Sequence, residues 1–382
     1  MLKIGIIAGE ASGDLIAAQL MKAIKAECPS VTFEGIAGPH MIAEGCRPIF
    51  RIEQLSVMGV VEVLQKLPEL LSLRKAIKAY FRQNLPAVFI GVDSPDFNLH
   101  VEAFLKRYGV PTVHYNSPTI WAWRKNRVYT IAKAVSLMLT LFPFEAAIYE
   151  QHKIPVRFIG HPLADSIPEK IDVKKLRREL GIDVEGKIIA LLPGSRAGEI
   201  KQLGKLFLET AALCLRQDPT LKFVVPLVNE ARLSQFQTLC KALPKDFPIQ
   251  LFMANSQSII AASDAVLVAS GTATLETALM QKPMVVAYRL NWLNYCIAQL
   301  LIKIPYFSLP NLVLNKPVVP EFFQQQATPE NLSQALMSQL NLPTNASLFA
   351  DFNQMRDMLA KGASQQAASA ILNLIPRQAY ML

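Results

Sequence analysis

Three short stretches carry residue types and spacings that could do chemistry. Asp93 closes the apolar run 85–92 and opens Asp93-Ser94-Pro95-Asp96-Phe97-Asn98. A carboxylate at the end of a buried strand is partly desolvated, which raises its proton affinity and suits it to general-base work. The turn Pro193-Gly194-Ser195-Arg196 follows a second apolar run, 187–192, and precedes the helically spaced Leu203, Leu206, Phe207, Thr210, Ala211 and Cys214. A strand, a Gly-Ser turn and a helix leave backbone N–H groups at the carboxyl edge of a sheet, where they and the helix dipole attract anions. Arg196 adds a fixed fork of donors where a diphosphate would lie. The third stretch, Ser270-Gly271-Thr272-Ala273-Thr274-Leu275-Glu276, follows the strand-like 264–269. Ser270 and Thr272 offer hydroxyls or caps, Gly271 admits a ligand close to the backbone, and Glu276 can accept both hydroxyls of a ribose. Each stretch has a plainer reading, a packing turn or a carboxylate that compensates a helix dipole. Two such turns in one half of the chain, one with arginine and one with glutamate, point to a nucleotide diphosphate.

The elements that position these residues alternate. Apolar strands are expected at 3–8, 33–37, 85–92, 110–115, 134–141 and 156–160, then at 187–192, 223–227, 250–252, 264–269 and 283–288. Helical spacing is expected at 143–152, 199–215, 230–242, 257–262, 291–303, 329–340 and 347–375, with 308–312 an irregular turn and 167–171 a linker. Alternating strands and helices predict an α/β chain with parallel sheets. At 382 residues, 51% hydrophobic and 18% charged, the chain is long enough for two cores. The expected domains are 1–165 and 166–345, each Rossmann-like, with 346–382 crossing back to the first domain or exchanging with a second subunit, which leaves a homodimer open.

Composition removes several function classes. Five scattered cysteines (Cys28, Cys46, Cys214, Cys240, Cys296) form no CxxC pair and read as buried thiols in a reducing compartment. Five histidines show no metal-binding spacing, and Asp93 with Asp96 is D-x-x-D, not D-x-D, so no metal and no cofactor is expected. Gly9 and Gly13 do not make GxGxxG, which disfavours a dinucleotide enzyme. The chain opens directly on an apolar strand with no leader, and no run reaches the ~20 apolar residues of a spanning helix. The net charge of +9 comes without an aromatic-interleaved basic stripe, so nucleic acid is not the expected partner; a phosphorylated substrate or an anionic lipid surface suits it better.

Further contacts to an acceptor or sugar are expected from Glu10 and Ser12 in the first turn, Asp96 and Asn98 after Asp93, and Trp123 and Arg124 in the loop that follows 110–115. Asp14 reads either as a hydroxyl-binding group or as a carboxylate at a helix start, and Asn311 is placed to hydrogen-bond a base or phosphate. The segment 56–71 is apolar around most of a helix and then turns basic at Arg74, Lys75, Lys78 and Arg82. Val57, Met58, Val60, Val61, Val63, Leu64, Leu67, Leu70 and Leu71 would then meet lipid, the alternative being a core helix with a solvated cationic end.

The stretches AGEASGD (8–14), AGPHM (37–41), VMGVVEVL (57–64), VDSPDFN (92–98), SPTIWAWR (117–124), FIGHPLAD (158–165), LLPGSR (191–196), VVPLVN (224–229), ASGTATLE (269–276) and SLPNL (308–312) run in order along nearly the whole chain. On them the sequence resembles the lipid-A-disaccharide synthase family, inverting glycosyltransferases of two Rossmann-like domains with a cleft between (GT-B architecture). The resemblance implies that UDP-2,3-diacylglucosamine donates its sugar to 2,3-diacylglucosamine 1-phosphate, giving a β(1→6) disaccharide 1-phosphate and UDP without metal. It implies that Asp93 is the general base, that Arg196, Glu276 and Asn311 hold UDP, and that 57–71 docks on the cytoplasmic face of the inner membrane. Two other readings are weaker. A UDP-sugar 2-epimerase needs no exposed apolar helix, and a non-catalytic lipid-binding protein leaves Arg196 and Glu276 without purpose.

Overall fold

The computed structural model describes residues 2–55, 66–122, 126–182, 184–253, 255–291, 295, 304–343 and 345–375. The chain divides into two compact units, Met1–Asp165 with Leu359–Leu382, and Ser166–Met358.

The first unit is built on β1 (Lys3–Ala8), β2 (Thr32–Ala37), β3 (Cys46–Arg51), β4 (Val88–Val92), β5 (Thr112–Tyr115), β6 (Leu137–Thr140) and β7 (Val156–Phe158). They form one seven-stranded sheet in the order β3-β2-β1-β4-β5-β6-β7, and every pairing is parallel. Strands β4 and β5 are buried along their whole length, as a parallel sheet covered on both faces requires. Strand order reverses between β1 and β4, and such a reversal opens a crevice at the carboxyl ends of the strands. The turn 9–10 leaves from β1 there, and Asp93 leaves from β4.

The second unit repeats the plan with β8 (Ile188–Leu192), β9 (Lys222–Leu227), β10 (Ile249–Met253), β11 (Ala265–Ala269), β12 (Met284–Tyr288) and β13 (Glu321–Phe323). Their order is β10-β9-β8-β11-β12-β13, again all parallel, with the reversal between β8 and β11. The turns 193–196 and 270–271 start at those two strands. Helix Ala197–Gln217 buries Ile200, Leu203, Phe207, Ala211 and Cys214 on one face, against Phe223, Val225, Phe236 and Leu267. Each large side chain withdrawn from water there contributes about 1.5–3 kcal/mol.

Several elements differ from expectation. The edge strands β3 and β13 escape sequence reading because neither is an apolar run: β3 holds Arg47, Pro48 and Arg51 and is mostly exposed or half-buried, and β13 is only partly buried. Residues 308–312 are not an irregular turn. Ser308 precedes a helix, Leu309–Leu314, that Pro310 helps to start because its missing N–H falls in the first turn, where no helical partner exists. The expected single helix 347–375 is two, Ser347–Leu359 and Ala363–Leu372, interrupted at Gly362 with φ +67°. The second of these packs on helix Ala11–Glu27 in the first unit. A further short helix, Val173–Glu179, follows the linker. The expected helix 291–303 lies outside the described residues, apart from Asn291 and Tyr295. Of the four described cysteines, all free, Cys46 and Cys214 are buried as expected, whereas Cys28 and Cys240 are partly exposed. Among the described residues no helix is long and apolar enough to cross a membrane.

Candidate functional site

Asp93 and Ser94 both take left-handed backbone angles, φ +53° and +44°, and Asn116 at the end of β5 does so at +79°. Non-glycine residues adopt this region only when their surroundings hold them there. The hold is Asn98. Its side-chain amide is fully buried and donates to the carbonyls of Ile7 (3.4 Å), Val92 (3.2 Å) and Asp93 (2.8 Å), tying the ends of β1 and β4 together. That corrects the expectation that Asn98 meets the acceptor: its donors are spent inside the protein. Asn116 Nδ2 donates to Asp93 Oδ1 at 2.5 Å, and Oδ2 lies 3.3 Å from where a Cβ on Gly13 would stand. Burial pushes the Asp93 carboxyl up to about 6, against the Asn116 hydrogen bond, which lowers it.

Around Asp93 the other expected contacts separate. Glu10 and Ser12 are exposed at the start of helix Ala11–Glu27. Asp14 is buried, and its carboxylate accepts from the amides of Gly38 (3.0 Å), His40 (2.9 Å) and Met41 (3.1 Å), so it caps helix Pro39–Ala43. Asp96 is well exposed and paired with Arg127, while Ser94 occupies the cap position of helix Pro95–Lys106. Trp121 packs edge-on against Phe144, which stacks on Phe142, itself beside His161. Burial lowers the His161 imidazole to about 4, so it is neutral at pH 7. Trp123 and Arg124 lie outside the described residues.

In the second unit a cavity of 510 Å³ gathers Gly194, Ser195, Arg196, Ser270, Gly271, Thr272 and Glu276. Sequence reading found these; it missed Glu199, Gln257, Asn255 and Tyr288, which have no motif of their own, and Val228, whose stretch 224–229 it marked without naming a site residue in it. Glu199 changes the picture of the first turn. Its Oε2 accepts from the amides of Ser195 (3.0 Å) and Arg196 (3.1 Å), so these donors already hold a carboxylate, and Oε1 lies 3.8 Å from the exposed Arg196 guanidinium. A carboxylate three residues into a helix commonly caps its own N-terminus in this way. The second turn is the open one. Gly271 stands at φ +156° with nothing within 4 Å of a Cβ position, and among the described residues the amides of Gly271, Thr272 and Ala273 donate to no protein acceptor. Ser270 Oγ donates to the carbonyl of Phe307 at 2.7 Å. Glu276 accepts from Gln257 Nε2 at 2.9 Å, and burial raises its carboxyl above the usual range against that hydrogen bond.

Asn311 is turned inward. It is 1% exposed, its Nδ2 donates to Val319 O (2.9 Å) and Glu321 Oε1 (2.9 Å), and its Oδ1 accepts from the amides of Val318 (2.8 Å) and Val319 (2.8 Å). A carboxamide has four such positions, and all are occupied, so a bond from this side chain to a base or phosphate would have to break one of them.

Of the apolar segment, residues 57, 58, 60, 61, 63 and 64 lie outside the described residues. Helix Leu67–Gln83 buries Leu73, Ile77 and Phe81, and Leu70 packs beside them. Leu67 and Leu71 stay 42% and 45% exposed. Beside them a groove of 460 Å³ is lined by Leu71, Arg74, Lys75, Lys78, Arg82 and Phe104, and burial together with Arg74 and Arg107 holds Lys78 below the usual lysine range. Among the described residues no cluster of His, Cys, Asp or Glu could hold a metal ion.

Two doubly wound parallel sheets, each with polar groups at its strand-order reversal, define a GT-B-like α/β protein, the class of glycosyltransferases and UDP-sugar epimerases. The fold is similar to that of the glycosyltransferase of kitacinnamycin (TM-score 0.68, 14% identity, covering 98% of this chain and 99% of that one). It is also similar to UDP-GlcNAc 2-epimerase from Neisseria meningitidis bound to UDP-GlcNAc (TM-score 0.66, 12% identity, covering 98% and 99%). These likenesses establish the fold alone. Sequence separates the two activities: the family model for lipid-A-disaccharide synthetase matches residues 4–372. The lipid-A-disaccharide synthases of Hahella chejuensis and Cellvibrio japonicus are each 48% identical to this chain, covering 98% of it and 95% and 97% of their own lengths. The chain belongs to the lipid-A-disaccharide synthase family, and so is a glycosyltransferase of lipid A biosynthesis.

Asn311→Ala leaves buried amides and a carbonyl unpaired, and is expected to cost about 3 kcal/mol of stability. Thermal unfolding checks this. An unchanged melting temperature combined with weakened UDP binding would place the side chain on the nucleotide instead.

Proposed function

We propose that the enzyme transfers the sugar of UDP-2,3-diacylglucosamine to the 6-hydroxyl of 2,3-diacylglucosamine 1-phosphate, giving UDP and the β(1→6) disaccharide 1-phosphate with inversion. The observation that carries the mechanism is the setting of Asp93. A carboxyl group pushed up to about 6 is ionised at pH 7 yet basic enough to receive a proton from a hydroxyl as the new C–O bond forms. Asn116 fixes one of its oxygens, leaving the other to take that proton. A single displacement by this hydroxyl on the face opposite the leaving UDP inverts the anomeric carbon.

The leaving diphosphate gains negative charge as the glycosidic bond breaks. The amides of Gly271, Thr272 and Ala273 at a helix start, with the Arg196 guanidinium, offer fixed donors to that charge, so the proposal needs no divalent ion. Glu276, steadied by Gln257, accepts the ribose hydroxyls. Because Glu199 occupies the Ser195 and Arg196 amides, the proposal moves the main phosphate contacts from the first turn to the second.

Both substrates carry acyl chains, so the enzyme must draw them from a lipid surface. Exposed Leu67 and Leu71 beside mutually repelling cations support peripheral contact with anionic lipid, on the cytoplasmic face of the inner membrane.

Asp93→Asn is expected to lower turnover about 100- to 10,000-fold while UDP affinity stays within about twofold; near-parental turnover would remove Asp93 from the mechanism. In the parent enzyme the base works only when ionised, so kcat/KM should fall below about pH 6 as Asp93 takes up a proton. A profile flat down to pH 5 would contradict this. Arg74→Glu with Lys78→Glu should weaken partition onto phosphatidylglycerol vesicles about tenfold or more, and equal partition would remove this groove from membrane docking.

A further inference from the structure

The open turn at Gly271 is braced by a distant part of the chain. Ser270 Oγ donates to the carbonyl of Phe307 at 2.7 Å, and the amide of Leu309 donates to Thr274 Oγ1 at 3.3 Å. Thr274 Oγ1 in turn donates to the carbonyl of Gly271 at 2.8 Å, and Thr274 is fully buried. The turn is thus tied at both ends to residues 307–309. Residues 304–308 belong to neither strand nor helix, so the amides of Phe307 and Ser308 have no ladder to join. Glu321, the first residue of β13, meets them instead. Its Oε1 accepts from Ser308 N (2.7 Å) and Asn311 Nδ2 (2.9 Å), and its Oε2 from Phe307 N (3.1 Å). Phe323, two residues on and so on the same face of the strand, sets its ring 5.8 Å from that of Phe307. Strand β13 is itself fixed by its register on β12, where Glu321 pairs with Val286. Three neutral N–H donors therefore converge on one carboxylate. A glutamine has a single accepting oxygen and would turn its own N–H groups on one of those donors, so only a carboxylate completes the set.

We propose that Glu321 is a positioning residue for the nucleotide site: it fixes residues 307–309 against the Gly271 turn and so holds the amides of Gly271, Thr272 and Ala273 in the arrangement that receives the diphosphate. This rests on that turn being the diphosphate site. Glu321 acts through two bonds it does not itself make, from Ser270 to Phe307 O and from Leu309 N to Thr274. Amide donors stabilise an anion best when they are already aimed at it, because reorienting them as the anion arrives costs part of the gain. Loosening 307–309 therefore weakens the hold on the diphosphate. The nucleoside end is spared, since Glu276 takes its support from Gln257. A carboxylate that merely anchored a loop would change stability without separating the two ends of the ligand.

The test measures the dissociation constants of UDP and of uridine for the parent, Glu321→Gln, Thr274→Val and Thr274→Ser. Glu321→Asp, which keeps the charge but draws it back by one methylene, stands in should Glu321→Gln fold poorly. Glu321→Gln and Thr274→Val are each expected to weaken UDP about tenfold while uridine stays within about twofold. Thr274→Ser keeps both hydroxyl bonds and should bind UDP as the parent does. Equal losses for UDP and uridine, or unchanged UDP affinity in the Glu321 or Thr274→Val variants, would overturn the proposal and leave Glu321 a loop anchor. Backbone N–H spectra separate this outcome from a failure of the underlying reading. In ligand-free Glu321→Gln the signals of Gly271, Thr272 and Ala273 should already be displaced from their parental positions, and signals left in place would count against the proposal. If UDP failed to shift these three signals in the parent, the turn would not be the diphosphate site, while the ligand-free spectra would still decide whether Glu321 sets its geometry.

Discussion

One buried carboxamide holds the first site in shape. Asn98 binds the carbonyl ends of two adjacent parallel strands, and through Val92 and Asp93 it stabilises a loop whose residues stand in the left-handed region. Strand ends in a parallel sheet leave carbonyls that the ladder no longer satisfies, and a side chain reaching them from the following helix meets that need in place of water. The cost of the left-handed backbone at Asp93 and Ser94 is offset by these bonds, and the result is a fixed carboxylate that is only partly wetted. Gly9, Gly13 and Gly91 each clear space around this loop: a Cβ on Gly9 would fall 1.6 Å from Ser94 Oγ.

The second unit solves a different problem with the same architecture. Its reversal point presents two helix starts, and they are not equivalent. One is closed on itself by Glu199, and the other, at Gly271, keeps its amides open. The same strand-turn-helix grammar thus gives a self-capped terminus and an anion-ready one, and the difference lies in a single carboxylate three residues into the first helix. The open terminus and Glu276 lie in one cavity, which suits a ligand with a diphosphate at one end and a sugar diol near it.

Much of the fold is legible in the sequence, because the central strands are buried on both faces and therefore read as unbroken apolar runs. The edge strands β3 and β13 are not, since an edge tolerates Arg47, Pro48 and Glu321. Asp93 is legible because it ends such a run. What holds it is legible only in part: the stretch 92–98 marks Asn98, but as a substrate contact and not as a clamp on the loop, and Asn116 reaches Asp93 only because β5 lies beside β4. Asn311 shows the opposite failure. Its motif marks it, but which way an asparagine faces is decided by distant amides, here those of Val318 and Val319. Helix Ser347–Leu359 runs into Gly362 with apolar spacing on both sides, so the periodicity conceals the break that the glycine makes.

The central claim is that one carboxylate and one nucleotide pocket act on two lipid-linked sugars in a single inverting transfer. The most direct measurement incubates the purified enzyme in detergent with chelator, supplying UDP-2,3-diacylglucosamine with and without 2,3-diacylglucosamine 1-phosphate. UDP should appear only when both are present, together with a β-linked disaccharide. UDP or an altered sugar formed from the donor alone would contradict the account, pointing to hydrolysis or epimerisation instead.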